Sequence, residues 1–200
     1  MAIKVANNQS LTAITALPAA VSGGAMTLLE TQTASSSSTI TFDSNIDSTY
    51  KEYQIHWTDV HPSANGEKFQ VNFRDGSTAY DATKTTTAFE SYNNEADNNS
   101  ALTYQTGNHL SQSTSAQHIS DGQGNENDES CVGILTIYAP ADTTFVKHFI
   151  IEAHMYNGGD FSVHDFIAGY INTATAIDGV QFSMTSGTID VGTFKLYGVS

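Results

Sequence analysis

The sequence predicts an all-β protein, in which residues 26–200 form a single antiparallel β-sandwich domain of jelly-roll-like type and residues 1–25 form an extended N-terminal arm. Three observations predict this fold. Apolar and polar residues alternate along several short segments, which is the period of a strand with one buried face. Clusters of glycine, asparagine and aspartate separate these segments, and no segment carries the period of an amphipathic helix. The length of 200 residues suits one domain.

The first 25 residues differ in composition from the rest of the chain. They are rich in alanine, serine, threonine and asparagine, and they sustain neither the strand period nor the helix period. The mildly apolar stretch at 11–21 follows a polar segment and is interrupted by Pro18, which argues against a secretion signal. We therefore predict an arm, which is either a loose terminus or a segment that becomes ordered on a neighbouring subunit.

Alternation of apolar and polar residues becomes clear after Met26. The segment at 39–42 alternates. Two longer segments each place three large apolar residues on one face, namely Tyr53, Ile55 and Trp57, then Phe69, Val71 and Phe73. These patterns predict half-buried antiparallel strands with the opposite face in water. Because Trp57 is in phase with its apolar neighbours, we expect it in the core and not on the surface as a sugar-stacking aromatic.

The middle of the chain gives a weaker signal. Residues 85–92 and 101–106 predict short strands, and residues 97–100 carry a turn signal between them. Residues 107–129 are a long polar stretch of serine, glutamine, asparagine and glycine. We expect this stretch to form a loop or a set of loops on the surface. Loops of this length in a compact domain are usually functional or disordered.

The C-terminal third carries the strongest core signal. Its apolar segments, separated by turn residues, lie at 132–138, 145–155, 166–171, 180–184 and 194–197. Short segments at this spacing are typical of a β-sandwich. Cys131 adjoins the first segment, so we expect it to pack as a small core residue, and as the one cysteine it excludes an intrachain disulfide. Gly133 lies inside the same segment and indicates a bulge or close packing.

The net charge is strongly negative. Lysine and arginine total 7, against 21 aspartates and glutamates, which gives a formal net charge of −14. Such a surface repels phosphate backbones and anionic lipid headgroups, so we predict no nucleic-acid partner and no membrane partner. No apolar stretch reaches the length of a membrane span.

The loop at 121–129 is the best candidate for a metal site. It supplies the oxygen ligands that calcium prefers, and the candidate ligands are Asp121, Asn125, Asp128 and Glu129. The helix-flanked calcium-loop pattern is not met, because Glu126 stands where that pattern needs a glycine. A solvated acidic loop is the preferred interpretation, so we predict no bound metal and no other cofactor.

Seven histidines raise the question of a transition-metal site. His148 and His154 share a strand face, but they are separated by roughly 20 Å along an extended strand and cannot bind one ion. His56, His61 and His164 meet only if the fold brings them together, which their spacing does not decide. We interpret the histidines as residues of polar strand faces and loops.

No catalytic pattern stands out in the sequence. A glycosidase needs two carboxyl groups at close range. Four carboxylates are available at separate positions: Asp59, Glu90, Glu152 and Asp165. Their spacing selects no pair, because strand pairing decides which of them meet. The chain also lacks a nucleophile elbow, a phosphate-binding loop and a Cys–His pair. We therefore predict that the protein is not an enzyme.

Several motifs along the chain point to one family. They include TQTASSSS at 31–38, IDSTYKEY at 46–53, HP at 61–62, FVKHF at 145–149, AGY at 168–170 and GTFKLYG at 192–198, together with LP at 17–18 and GGAM at 23–26. In these motifs the chain resembles a family of virion structural proteins of marine tailed bacteriophages, including phages of cyanobacteria and of other abundant sea bacteria. The resemblance covers most of the chain, is weakest at 75–130, and brings no catalytic motif with it.

The resemblance implies a component on the exterior of the virion. We expect a non-enzymatic capsid decoration (cement) subunit that clamps neighbouring capsid proteins. Its expected partners are identical subunits, first of all in a homotrimer, and the major capsid or tail proteins of the same particle. The alternative is a tail or fibre subunit that binds host-surface carbohydrate through the loops at 107–129. The remaining alternative, an enzyme acting on host glycans, needs two carboxylates in a cleft at catalytic separation.

Overall fold

The computed structural model describes residues 25–200, and within these residues the fold is all-β with no helix. The predicted antiparallel β-sandwich is confirmed, because two antiparallel sheets share one core. The predicted arm at 1–25 lies outside the described residues except for its last residue, and the jelly-roll topology stays a prediction. The described part of the chain offers no helix that is long and apolar enough to cross a membrane.

Twelve strands make up the described residues. In chain order they are β1 (Met26–Ser37), β2 (Ile40–Phe42), β3 (Glu52–Pro62), β4 (Phe69–Arg74), β5 (Lys84–Asn94), β6 (Ser100–Tyr104), β7 (Gln117–His118), β8 (Cys131–Tyr138), β9 (Lys147–Asn157), β10 (Phe161–Ile171), β11 (Gly179–Met184) and β12 (Ile189–Val199). Eight of them form the larger sheet in the order β1-β12-β3-β8-β9-β10-β5-β6. The other four form the smaller sheet in the order β2-β11-β4-β7.

Large aromatic side chains join the two sheets. The ring of Trp57 on β3 lies 5.6 Å from that of Phe69 on β4, and Phe73 on β4 lies 4.9 Å from Phe149 on β9. All four are essentially fully buried. Burying each such side chain stabilises the fold by about 2–3 kcal/mol relative to leaving it exposed. The prediction that Trp57 belongs to the core is therefore confirmed.

Cys131 and Gly133 on β8 also behave as the sequence predicts. Cys131 is fully buried, and the indole Nε1–H of Trp57 donates a hydrogen bond to its Sγ at 3.4 Å. A Cβ atom at Gly133 would lie 2.6 Å from the carbonyl oxygen of Glu152 and would collide with the Trp57 ring. Gly133 therefore permits close packing between β8, β9 and the indole.

Two strands begin five residues before their predicted starts, and two strands, β1 and the two-residue β7, were not predicted. β1 shows no alternation of apolar and polar residues from which a strand could be predicted, and Ala34 is its one fully buried residue. β10 begins at Phe161, five residues before the predicted start, because His164 and Asp165 interrupt the apolar run. β12 also begins earlier, at Ile189.

The prediction that residues 107–129 lie on the surface is partly wrong. The segment is irregular apart from β7, but several of its side chains are fully buried, namely Gln117, Ile119, Ser120 and Gln123. The backbone N–H of Ile119 donates to the carbonyl of Phe69 at 2.7 Å, and that of Gln123 donates to Glu67 at 2.9 Å. The segment therefore packs along β4 and helps to close the sandwich.

Candidate functional site

The outer face of the larger sheet is the most apolar exposed surface of the described residues. We define this outer face as the side chains of β8, β9, β10, β5 and β6 that point away from the smaller sheet. Its apolar members are Val132, Ile134, Tyr138, Ile150, Phe166, Ala168, Tyr170, Phe89, Leu102 and Tyr104. Ile150 is 48% exposed and Tyr104 is 54% exposed. A contiguous apolar surface of this kind marks an interaction site.

Strand register arranges the outer face in rows across the sheet. One row runs from Ile134 through Glu152, Phe166 and Phe89 to Tyr104, each residue directly opposite the next. The rings of Phe89 and Phe166 stack with centroids 4.9 Å apart and planes 12° from parallel. Cross-strand aromatic pairs of this type stabilise a sheet and hold their side chains rigid. The row is therefore a preformed surface.

A groove continues the outer face toward the turn between β8 and β9. Its volume is about 440 Å³, and its walls include Tyr138, His148, Ile150 and Tyr170. Phe145, in the turn beside it, is 71% exposed. The apolar surface thus extends from the middle of the sheet to its end.

Charge is nearly absent from the outer face. Among the residues of the five strands that point to this side, Glu152 is the one carboxylate, and none is a lysine or arginine. A carboxylate oxygen of Glu152 lies 3.1 Å from Nε2 of His164. Since the whole chain carries a net charge of −14, this near-neutral surface is where another acidic molecule can approach most easily.

The structure does not bring His56, His61 and His164 together. His56 lies beside the ring of Tyr197 at 5.0 Å, His61 contacts the carbonyl oxygen of Glu126 at 3.0 Å, and His164 is paired with Glu152. His154, which the sequence did not link to His164, is its cross-strand neighbour, with ring centroids 6.5 Å apart.

The four calcium candidates do not converge on one point. Asp121 forms an ion pair with Lys68 at 3.1 Å, and Asp128 is exposed. The buried carboxylate of Glu129 accepts a hydrogen bond from the backbone N–H of Glu126 at 2.6 Å, and it fills the space where a side chain at Gly124 would lie. Asn125 is half-buried in the same turn. Within residues 25–200, no three His, Cys, Asp or Glu side chains are grouped to hold a metal ion.

The fold does select one pair from the four separate carboxylates. Glu90 on β5 and Asp165 on β10 are directly opposite each other in the antiparallel register, on the face toward the interior. The Cβ atoms of such a pair lie about 4.5–5.5 Å apart. Asp59 and Glu152 remain apart from them. Asp59 is exposed at a β-bulge in β3 with a φ of 54°, and Glu152 is on the outer face.

An open pocket adjoins this pair, and we name it the acidic pocket. Its volume is about 260 Å³, and the residues that line it include Glu90, Tyr92, Asp121, Asn157 and Phe161. Val163, which shares a strand face with Asp165, also lines it. Asp121 comes from the polar stretch at 107–129, whose loops are the expected binding segment if the protein is a carbohydrate-binding tail or fibre subunit.

Asp165 adjoins the acidic pocket without lining it, because it lies opposite Glu90 and two residues from Val163, which both border the pocket. Asp165 is only 3% exposed, and its Oδ2 has no hydrogen-bond partner among the described residues. Burial, together with the nearby carboxylates of Glu90 and Asp121, raises the pKa of Asp165 to about 8. Burial also raises the pKa of Glu90. At neutral pH the pair therefore holds a proton.

The chain matches no family model, and the search of curated proteins finds no similar protein. The exposed outer face and the acidic pocket are therefore the observations from which a function can be proposed.

Proposed function

We propose that the protein is a non-enzymatic structural component of a phage virion, a capsid decoration subunit on the exterior of the particle that assembles with copies of itself and clamps neighbouring capsid proteins. The virion assignment follows from the resemblance in the sequence motifs. The outer face is the single structural observation that supports an assembly role. It is apolar, preformed and almost uncharged, while the rest of the molecule is acidic.

A second copy of this chain is the proposed occupant of the outer face. Two copies with a net charge of −14 repel each other over most of their surfaces. Apposition through the outer face keeps the like charges farthest apart and buries Ile150, Phe89 and Tyr104. Aromatic and aliphatic anchors of this kind carry most of the binding energy in protein interfaces. Closed symmetry, with a homotrimer first, fits such an interface.

The arrangement of the carboxyl pair supports the non-enzymatic part of the proposal. The two carboxylates of a glycosidase flank the scissile bond. Glu90 and Asp165 instead lie side by side on one sheet face, and of the two only Glu90 lines the acidic pocket.

Substitution of Ile150 by glutamate tests the proposed interface. Ile150 is on the outer face, and a buried unpaired charge there costs several kcal/mol of association energy. We expect the wild type to sediment as an oligomer and Ile150→Glu to sediment as a monomer that keeps the all-β circular dichroism spectrum of the wild type. The matched control, Gln181→Glu, adds the same charge to the solvent side of the smaller sheet and should leave the oligomer intact. A wild-type protein that stays monomeric at high concentration contradicts the proposal.

The second candidate function is a tail or fibre subunit that binds host-surface carbohydrate. The acidic pocket favours it, because the pocket combines aromatic rings with hydrogen-bonding carboxylate and amide groups. In this case too the protein is a virion component, and only its position in the particle and its partner differ.

A further inference from the structure

The acidic pocket has the size of a site for a small ligand. Its volume of about 260 Å³ lies just below the ~300 Å³ at which pockets for drug-sized ligands begin. β5 and β10 supply one wall, and Asp121 and Asn157 supply polar groups from neighbouring segments. The pocket is open to solvent, so a ligand that is part of a longer chain can enter it at one end.

Two aromatic rings contribute to the wall of the pocket. Tyr92 on β5 and Phe161 on β10 contact each other edge to face, with centroids 5.6 Å apart. Both are half-buried and pack against the core, so their positions are fixed, while part of each ring borders the pocket. Ring surfaces next to hydrogen-bonding groups suit a ligand that has both an apolar face and a polar edge.

A buried polar group without a partner lies beside the lining of the pocket. Buried polar atoms are nearly always hydrogen-bonded, so the unpartnered Oδ2 of Asp165 requires an explanation. Asp165 is opposite Glu90 and shares its strand face with Val163. Glu90 and Val163 line the pocket. A polar ligand group that reaches between Glu90 and Val163 would satisfy the Oδ2 of Asp165.

The protonation of this pair narrows the choice of ligand. Because Asp165 holds a proton at neutral pH, the hydrogen-bonding groups that line the pocket are the acceptors Glu90 and Asp121 and the amide groups of Asn99 and Asn157, which can also donate. A hydroxyl group can both donate and accept, whereas a cation can only donate and an anion is repelled by the acidic wall. A metal ion is disfavoured as well, since no three ligating side chains are grouped in residues 25–200.

We propose that the acidic pocket binds one pyranose ring of a neutral glycan, with Glu90 and Asp121 accepting hydrogen bonds from its hydroxyl groups and Tyr92 and Phe161 contacting its apolar face. Asp165 adjoins Glu90 outside this lining, and a hydroxyl that reaches between Glu90 and Val163 satisfies its Oδ2. The inference rests on the second candidate function and assigns its ligand class and its site.

Binding of a panel of methyl glycosides, read by saturation-transfer difference NMR, tests the proposal. The panel contains the methyl α- and β-glycosides of glucose, galactose, mannose and N-acetylglucosamine. We expect the wild type to bind at least one of them. Glu90→Gln should bind it about tenfold more weakly, because a hydrogen bond to a charged acceptor is lost. Tyr92→Ala should also weaken binding, because it removes a ring that contacts the apolar face of the sugar while the charge of the pocket stays the same.

The control is Glu152→Gln, which makes the same chemical change on the outer face and should bind the glycoside as the wild type does. Circular dichroism melting confirms that each variant is folded. Binding that Glu90→Gln and Tyr92→Ala leave unchanged overturns the pocket assignment, while carbohydrate binding by the protein still stands. A wild type that binds no member of the panel overturns both the pocket assignment and the second candidate function.

Discussion

Asp165 is a residue whose role depends on its position in the sheet. Its neighbours at 163 and 167 are apolar and buried, so the strand period places the carboxyl group of Asp165 on the interior face. The sequence predicts this burial once the strand is known to begin at Phe161, but the predicted start at 166 concealed it. The pairing with Glu90 follows from the adjacency of β5 and β10, which are 67 residues or more apart in the chain, and no local pattern encodes it.

Substitution of Asp165 by asparagine should change how stability depends on pH. The pKa of Asp165 is about 8 in the folded protein, against 3.8 for the ordinary group. Between these values the folded protein holds a proton that the unfolded chain has released, so the free energy of unfolding falls as pH rises through this window. The asparagine side chain binds no proton, so the variant lacks this fall in the free energy of unfolding. Its stability relative to the wild type should rise by roughly 1 kcal/mol per pH unit from pH 5 to pH 8.

Urea unfolding at several pH values measures this difference. Asp128→Asn makes the same chemical change at an exposed carboxylate in the turn before β8, so it is the matched control and should follow the wild type at every pH. A constant difference between Asp165→Asn and the wild type across the whole range would show that Asp165 does not hold a proton in the folded protein.

Gly133 gives a second test of side-chain packing. A methyl group there would lie 2.6 Å from the carbonyl oxygen of Glu152 and would collide with the indole of Trp57. We expect Gly133→Ala to lower the free energy of unfolding by about 1–3 kcal/mol, as overpacked cores do. Gly107→Ala is the control, because nothing lies within 4 Å of its Cβ position, and its change should stay within about 0.5 kcal/mol. Equal effects for the two variants would contradict the packing of β8 on Trp57.

The strands with strong alternation were predicted from the sequence, and those without it were not. β3, β4 and β9 bury every second residue over most of their length, and the pattern identified all three. β1 is an edge strand of serines and threonines whose hydrogen bonds to β12 hold it in place, so its formation depends on a partner and not on its own period. The buried part of 107–129 was missed for a related reason, because its glutamines and serines are buried through hydrogen bonds that composition does not reveal.

The position of β8 predicts how Cys131 reacts. β8 lies between β3 and β9 in the middle of the larger sheet, and burial raises the pKa of the Cys131 thiol to about 12. Native protein should therefore leave the thiol unmodified by Ellman's reagent at pH 8, and modification should occur only at the rate of global unfolding. Full reaction in denaturant provides the control. Rapid modification of the native protein would show that the central strands open locally.

At the scale of the whole molecule, the two sheets leave two different surfaces for function. The smaller sheet covers the inner side of the larger sheet, while the outer face stays apolar and uncovered by the described residues. The sandwich and the negative net charge of the protein could be predicted from the sequence. The outer face could not be predicted, because the residues of this face come from five strands that meet only in the folded sheet. The proposed setting rests on the resemblance in the sequence motifs, and the proposed means of assembly rests on the outer face.

An image of the intact virion at side-chain resolution is the most direct test of the central claim, that this protein assembles on the particle exterior through its outer face. We predict many copies on the outside of the capsid shell, with Ile150, Phe89 and Tyr104 buried against a neighbouring copy. A particle in which these side chains face solvent, or in which the chain occurs only in a few copies on the tail, would contradict the account.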